Sequence, residues 1–467
     1  MLVKKKLSGW SSYELFDTKV FTPNTTKDLI EFLKSRNDNI KIIPRGHGCS
    51  FGDQAICSVD NGVTIDLSSL NKIIELDTKK NILKVEAGTK LNSVLKFLLP
   101  KNLTLNSIPG GLEITVGGAI SNNVHGKDCW KNGYFENNVK SILICDCNGE
   151  LKKLSKLENY EYFRNIFGSI GLIGVIIEVE LYIKNVPSEF LIAETTKVNN
   201  IHEMEKCFQS LDNKNEFAVA WLDCFAKGKN SMRGIFQKAS FIAATGPKSK
   251  KGNSKFFENP ENLKIFGVLP IKFFWKIVKI FFNTKIFKLI NPIVFNMSFI
   301  LKKKKIISYV EFLMFETKYL PSYKTWFEPD GFLCIQPFFK KKNAFKNIKE
   351  VIELCQRYGI VPFWCPLKKY KPKTISHLDF ASEEGGYSIV IDFFPKEHKK
   401  EIIKKFISEL EDLIFQQGGR FYLSKDQVMS KEFFKKTNPN MNEFLKIKEK
   451  FDPKNRFLSN QYLRLFI

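Results

Sequence analysis

Histidine and patterned cysteine are what this chain has least of. It carries five histidines in 467 residues, and ten cysteines with no C-x-x-C among them. Cys145 and Cys147 form a C-x-C in a strand pattern that turns both side chains to one face. Protein metal sites need ligands at short, fixed spacings, so no metal centre is expected. Thiols without a framework point to a reduced, cytoplasmic protein. Long apolar runs are missing too. The longest uncharged stretch near the middle of the chain, residues 289–301, has 13 residues, against roughly 20 for a helix that crosses a bilayer. Residues 1–8 carry lysines with no apolar run behind them, so no signal peptide is expected. Acidic residues are in deficit: 49 against 73 basic ones, a net charge of +24. That excess favours polyanions, namely nucleic acid, anionic lipid headgroups or phosphorylated substrates. No zinc finger, RNP motif or helix-turn-helix pattern is present, so nucleic acid is the poorer choice.

What the chain does have is length, apolar content and concentrated glycine. With 467 residues and 43% hydrophobic content, it is long enough for two or three domains with proper cores. Glycine gathers in three stretches. The first, Pro44-Arg45-Gly46-His47-Gly48-Cys49-Ser50-Phe51-Gly52-Asp53, follows an apolar strand at residues 40–43. Such a turn tolerates positive φ and close backbone approach, and its successive N–H groups form a concavity for an anion such as a pyrophosphate. The second begins Ile108-Pro109-Gly110-Gly111-Leu112-Glu113-Ile114 and continues through Gly117-Gly118-Ala119 to Asn122-Asn123-Val124-His125-Gly126-Lys127. The third is Phe167-Gly168-Ser169-Ile170-Gly171-Leu172-Ile173-Gly174-Val175-Ile176. None is a P-loop, and Gly46-His47-Gly48 lacks the third glycine and helix of a Rossmann turn. One such stretch alone reads as a structural turn; three together indicate backbone packed against a large flat partner.

Thr25-Thr26-Lys27-Asp28 opens a helix carrying Leu29, Ile30, Phe32 and Leu33. Strands are expected over 62–67 and 82–88, a helix over 90–99, and a hairpin over 141–154 turning at Asn148-Gly149. Beyond residue 190 come strands over 217–223, 331–338, 360–367 and 387–394. A helix closes at Gly359 and another at Gly418-Gly419. The fold class expected is α+β: residues 1–189 as one domain, 190–418 as a second with an antiparallel sheet covered by helices, and 419–467 returning to the first. Residues 264–305 interleave aromatic and aliphatic residues with Lys272, Lys276, Lys279, Lys285 and Lys288. The first three lysines share one helical face, and a basic amphipathic helix with aromatic anchors reads as a membrane-surface element. The alternative is a helix docked on the protein with its lysines in solvent.

The three glycine stretches, in this order and spacing, resemble the FAD-binding domain of the vanillyl-alcohol-oxidase-type (PCMH-type) flavoproteins. Residues 418–426 and 451–457 extend the resemblance to one branch, the decaprenylphosphoryl-ribose oxidases, the flavin subunits of a polyprenyl-phosphate-sugar 2-epimerase. The resemblance implies non-covalent FAD. Its pyrophosphate would lie over Arg45, Gly46, His47, Gly48, Cys49 and Ser50, beside Phe51. Further cofactor contacts would come from Gly110, Gly111, Ile114, Gly117, Gly118, Ala119, Asn122, His125, Gly126, Gly171, Gly174, Ile176 and Tyr422. It implies Lys425 as the catalytic residue, either a cation that holds the substrate oxygen or, if burial deprotonates it, a base. His125 is the second candidate for proton handling. Gln336, Lys368, Trp221, Ser388, Cys334 and Lys127 would line the substrate pocket. Strand alternation puts Cys334 and Gln336 on one face.

Departures from the family pattern fall in the same places. Cys49 stands where many relatives have a histidine bonded to the flavin, which excludes histidyl attachment there. Phe51 replaces a tyrosine, and Cys334, Ser388 and Val390 replace a glutamine, an asparagine and a cysteine. The function implied is oxidation of a sugar hydroxyl to a ketone, on the 2′ carbon of a polyprenyl-phosphate-linked pentose. A short-chain dehydrogenase/reductase partner would complete the epimerisation for the cell envelope, on the inner face of the membrane. Two alternatives are a FAD oxidase of a soluble sugar, alditol or aldonolactone, and a flavin-free basic membrane-surface adaptor.

Overall fold

The computed structural model describes residues 1–35, 39–243, 264–265, 269–270, 279, 282–297, 303–314, 327–372 and 376–467. Its first helix, Thr26–Ser35, starts at a reciprocal capping box: Thr25 Oγ1 accepts from the Asp28 N–H at 3.1 Å, and Asp28 Oδ2 accepts from the Thr25 N–H at 3.0 Å. Leu29, Phe32 and Leu33 then bury in the core beside a four-stranded sheet ordered Leu2–Leu7, Phe16–Phe21, Gly62–Asp66, Lys41–Arg45. The last three of these strands are parallel, and the Lys41–Arg45 strand delivers the chain into the first glycine turn.

A second sheet is antiparallel and runs Ile73–Asp77, Ile82–Glu86, Val175–Asn185, Val139–Cys145, Leu151–Ser155. Its outer hairpin turns at Gly149, whose φ of +83° explains the Asn-Gly signal. Val175–Asn185 leaves directly from the third glycine stretch. Cys145 and Cys147 bury in one cluster, but the strand ends at Cys145 and Cys147 lies in the turn that follows, so strand alternation does not govern the pair.

The third sheet has eight strands, all antiparallel: Lys304–Ser308, Phe190–Val198, Gly234–Phe241, Phe217–Leu222, Pro366–Tyr370, Gly386–Ile389, Pro337–Lys340, Arg420–Phe421. The helices Ile201–Gln209 and Ala344–Tyr358 pack on it, and Lys400–Gln416 packs on the latter. Lys400–Gln416 stops in a Schellman motif, with the Gly418 N–H on the Phe415 carbonyl and the Gly419 N–H on that of Ile414.

The strand expected over 360–367 is displaced to Pro366–Tyr370. Pro362 has no N–H to donate, and the chain before Pro366 pairs through an isolated bridge between Trp364 and Asp392. The long strands expected over 331–338 and 387–394 are each divided, at Gln336 and Val390. Register carries across the break, with Ile335 opposite Ile391 and Phe338 opposite Ser388. Gln336 and Val390 therefore face one another.

The C-terminal segment closes on the N-terminal sheet. The Ile42 N–H donates to the Arg456 carbonyl at 2.7 Å, the Leu458 N–H to the Ile42 carbonyl at 2.9 Å, and Phe457 buries beside Ile42 and Ile65. Of the basic stretch at 264–305, Lys272 and Lys276 lie outside the described residues, while Thr284–Met297 is a helix. Among the described residues no helix is long and apolar enough to cross a membrane.

Candidate active site

The three glycine stretches converge on one cleft. Gly46, His47, Gly48, Cys49 and Ser50 line it from the first, Ile114, Gly117, Gly118 and Asn122 from the second, and Gly171, Gly174 and Ile176 from the third. Its wall is bare backbone because side chains are sterically excluded behind it. A Cβ on Gly46 would lie 2.2 Å from Thr115 Oγ1, and one on Gly174 would lie 2.8 Å from the Ile144 side chain. Gly171 has φ +82°, which L side chains rarely adopt.

Gln54, which also lines the cleft, is buried at 2% exposure. Its Nε2 donates to Asn122 Oδ1 at 2.5 Å, and its Oε1 has no hydrogen-bond partner among the described residues. A buried acceptor without a partner, in a cleft walled by glycine backbone, fits a ligand with both N–H groups and phosphates. FAD is such a ligand. Neither Gln54 nor Ser424, another lining residue, was marked by the sequence. Both depend on where distant segments meet.

The remaining residues expected at the cofactor divide by position. The Arg45 guanidinium points away from the cleft, donating from Nη2 to the Ser8 carbonyl at 2.8 Å, and it fills the space a Gly48 side chain would need. It braces the turn from beneath. His47 Nε2 lies 3.7 Å from Glu113, which also pairs with Lys90 at 2.8 Å. Partial burial, with Lys90 adding to it, holds the His47 pKa below its ordinary value in spite of that carboxylate. Ala119 is a core residue at the back of the second stretch. Gly126 is held in a bridge to Pro109, where a Cβ would lie 1.8 Å from the Ile108 carbonyl. Gly110 and Gly111 have looser surroundings, the nearest atoms to a Cβ being 3.6 Å and 3.4 Å away.

On the substrate side, one face of the eight-stranded sheet gathers the expected residues. Its register sets Lys368 opposite Ser388 and Ser388 opposite Phe338, with Trp221 opposite Pro366 in the neighbouring row. Gln336 Nε2 lies 2.8 Å from Ser388 Oγ, 3.0 Å from the Tyr370 hydroxyl and 3.5 Å from His125 Nε2. The Tyr422 hydroxyl donates to the Asn122 carbonyl at 2.8 Å, and its ring packs 5.0 Å from that of His125. The second glycine stretch is thereby tied to the sheet. Burial, reinforced by the positive charges of Lys368 and Lys425, pushes the His125 pKa well below its ordinary value. The ring is neutral at physiological pH.

Lys425 ends a short 3₁₀ turn, Leu423–Lys425, after the last strand. Its ammonium sits 4.8 Å from the centre of the Phe51 ring, and the Phe51 N–H donates to the Ser424 carbonyl at 3.0 Å. Cys334 shares the neighbourhood. Its backbone N–H donates to Gln427 Oε1, and burial raises its thiol pKa well above the ordinary value. Lys127 is placed otherwise than a substrate contact would be: buried, it donates to the Phe312 carbonyl at 2.7 Å and lies over the Phe312 ring. Tyr370, absent from the sequence-derived set, joins it here through its contacts with Gln336 and His125.

Two protein families match separate parts of this chain. Residues 18–155 match the FAD binding domain family and residues 336–465 the D-arabinono-1,4-lactone oxidase family. The decaprenylphosphoryl-beta-D-ribose oxidase of Mycolicibacterium smegmatis is 26% identical over 469 residues, covering 99% of this chain and 97% of that protein. The L-gulonolactone oxidase of Bos taurus is 23% identical over 470 residues, covering 98% and 97%. The D-arabinono-1,4-lactone oxidase of Candida glabrata is 25% identical over 222 residues, covering 46% and 41%. With the cleft and both family matches in hand, the chain is an FAD-dependent oxidoreductase with a vanillyl-alcohol-oxidase-type (PCMH-type) FAD-binding domain, and its C-terminal region is similar to the D-arabinono-1,4-lactone oxidase family.

Proposed function

We propose that this enzyme oxidises the 2′-hydroxyl of a polyprenyl-phosphate-linked pentose to a ketone, with a short-chain reductase acting next to complete an epimerisation. The observation that carries the reading is the near end-to-end similarity to the decaprenylphosphoryl-beta-D-ribose oxidase. FAD, when bound, supplies the two-electron acceptor for the carbon–hydrogen bond that is broken. Gly46 to Ser50, Gly117, Gly118, Gly171 and Gly174 would hold it through their backbones, with Gln54 and Asn122 at the wall. Cysteine at position 49 removes the histidyl attachment point, and the FAD is assigned as non-covalent.

The Lys425 ammonium is assigned to the substrate hydroxyl oxygen, where a positive charge lowers the cost of losing the proton. His125 is neutral and serves as a hydrogen-bonding partner, oriented by Tyr370. Lys368 and Ser388, opposite one another on the sheet, would meet the sugar's other polar groups. A basic chain is suited to a phosphate on that substrate and to peripheral residence at an anionic membrane.

The test is anaerobic mixing of the holoenzyme with a polyprenyl-phosphoryl pentose or with L-gulono-1,4-lactone, followed in the visible flavin band. Bleaching by the lipid-linked sugar is expected. Bleaching confined to the lactone would transfer the assignment to a soluble-substrate oxidase. Acid precipitation should leave the chromophore in the supernatant; colour in the pellet would overturn the non-covalent assignment.

A further inference from the structure

The helix Thr284–Met297 has two faces with opposite fates. Phe287, Asn291 and Phe295 turn inward. Asn291 and Phe295 are buried, and the Phe287 ring lies 5.3 Å from that of Phe363. Two cations hold the Phe295 ring, Lys197 at 4.2 Å and Arg233 at 4.6 Å from its centre. Lys197 also donates to Asn296 Oδ1, and Glu397 accepts the Thr284 N–H at the helix start. The helix is therefore firmly seated.

Its outer face is apolar. Leu289, Ile293 and Met297 form one row at 66%, 56% and 56% exposure, and Ile290 and Val294 form a second at 41% each. Spacings of four residues make these two adjacent rows on one side of the cylinder. A globular helix that faces water ordinarily carries charge there, yet this one has no acidic residue and its two lysines, Lys285 and Lys288, are both exposed. At the C-terminal half Lys197 stands beside it, and the exposed Lys303 follows across the sheet edge, its carbonyl accepting from the Thr195 N–H. Apolar rows bordered by cations, on a chain of net charge +24, match the interface of an anionic bilayer. Apolar side chains enter the acyl boundary there while lysines meet headgroup phosphates.

The seat of the helix adds a second observation. Phe287 belongs to an aromatic cluster in which Phe363 lies 5.5 Å from Phe327, Phe327 lies 4.5 Å from Phe332, and Phe332 lies 5.8 Å from Phe51. Phe51 is the ring beneath the Lys425 ammonium. One continuous aromatic body thus joins the candidate catalytic lysine to the exposed helix.

The geometry points to Thr284–Met297 as an interfacial helix that docks the enzyme on anionic lipid, on the side from which a lipid-linked substrate reaches Lys425. The substrate half of this inference rests on the proposed function; the docking half does not.

The experiment is co-sedimentation of the FAD-loaded full chain with vesicles of phosphatidylglycerol and phosphatidylethanolamine, and with vesicles of phosphatidylcholine alone. Binding to the anionic vesicles that weakens with salt is expected, and the Leu289→Ser/Ile293→Ser double variant should lose about tenfold or more in binding with its FAD content unchanged. Ile293→Trp should show a fluorescence blue shift with anionic vesicles. Equal vesicle binding by wild type and double variant, or a tryptophan that stays in water, overturns the inference. So does a wild-type dimer in sedimentation velocity that the double substitution dissociates, since a second copy would then be the occupant. Vesicle binding with turnover of soluble sugars alone would sink the proposed substrate and leave the docking helix standing. Oxidation of the lipid-linked sugar by an enzyme that ignores vesicles would do the reverse.

Discussion

The Tyr370 hydroxyl lies 3.2 Å from Nδ1 of His125, with both side chains buried between the second glycine stretch and the eight-stranded sheet. Burial raises the phenol's pKa well above its ordinary value and pushes the imidazole's well below. Both are therefore neutral over the working range, and the phenol is the natural donor. Donation to Nδ1 leaves the proton of the ring on Nε2. Tyr370 thus acts on the reaction through His125, as a positioning residue.

Tyr370→Phe should lower kcat about tenfold, the size of one lost buried hydrogen bond, with KM nearly unchanged. Ring ¹⁵N shifts of His125 in the holoenzyme should change from a single tautomer to a mixture, and FAD content should stay constant. An unchanged tautomer signal would remove Tyr370 from the site.

Glycine substitution separates the cleft wall from its surroundings. Gly46→Ala places a methyl 2.2 Å from Thr115 Oγ1, the atom that accepts the Gly118 N–H and caps the helix Val116–Ser121. Cap loss alone costs about 1 kcal/mol, and the displaced helix carries cleft residues. FAD affinity should fall at least about tenfold by titration. Gly110→Ala meets nothing nearer than a carbonyl at 3.6 Å, so affinity should hold within about twofold. Equal losses at both positions would mean that FAD touches Gly110 directly.

Local signals in the sequence carried much of this. The capping box at Thr25 and Asp28, the Asn148-Gly149 turn and the Gly418-Gly419 stop each involve atoms a few residues apart, so residue type alone dictates them. Lys425 and His125 were legible through their motifs. Tyr370 and Gln54 were not, because their significance comes from partners 245 and 68 residues away. Lys127 shows the converse: it stands in the right motif, yet its ammonium is engaged with Phe312, a residue 185 positions on. The divided strands at Gln336 and Val390 also reflect sheet topology that alternation cannot express.

Arg464 holds the turn that carries Lys425. Its Nη2 donates to Asp53 Oδ1 at 3.1 Å and to Asp426 Oδ2 at 2.8 Å, joining the first glycine stretch to the Lys425 turn through the last helix. Burial raises the Asp53 pKa, an effect that Arg464 opposes. Arg464→Met leaves two buried carboxylates facing each other and should cost about 3 kcal/mol or more. The thermal midpoint should drop, and turnover should fall with it. Adding Asp53→Asn removes one of the stranded charges and should recover part of the midpoint. A double variant no more stable than the single one would show that the clamp is not electrostatic.

Asp128 and His125, three residues apart, should drive stability in opposite directions with pH. Asp128 is buried at 1% exposure and accepts from the Ile108 N–H at 3.2 Å; burial pushes its pKa up to about 7. An unfolded aspartate ionises near 3.9. Between about pH 4 and pH 7 the folded state therefore holds the extra proton, and this residue's contribution falls as pH rises. His125 has its folded pKa depressed from an unfolded value of about 6.5. Its contribution is complete above that pH and is lost on acidification. Asp128→Asn mimics the protonated acid, accepting from Ile108 and donating toward Ser107. Its thermal midpoint relative to wild type should rise from pH 5 to pH 7 by about 2–4 °C and then level off. His125→Gln should instead relieve the loss on the acid side, narrowing the wild-type decline below about pH 6.5. If the Asp128→Asn advantage shrank between pH 5 and pH 7, the carboxyl would be ionised in the fold, and the assignment of a neutral Asp128 would fail.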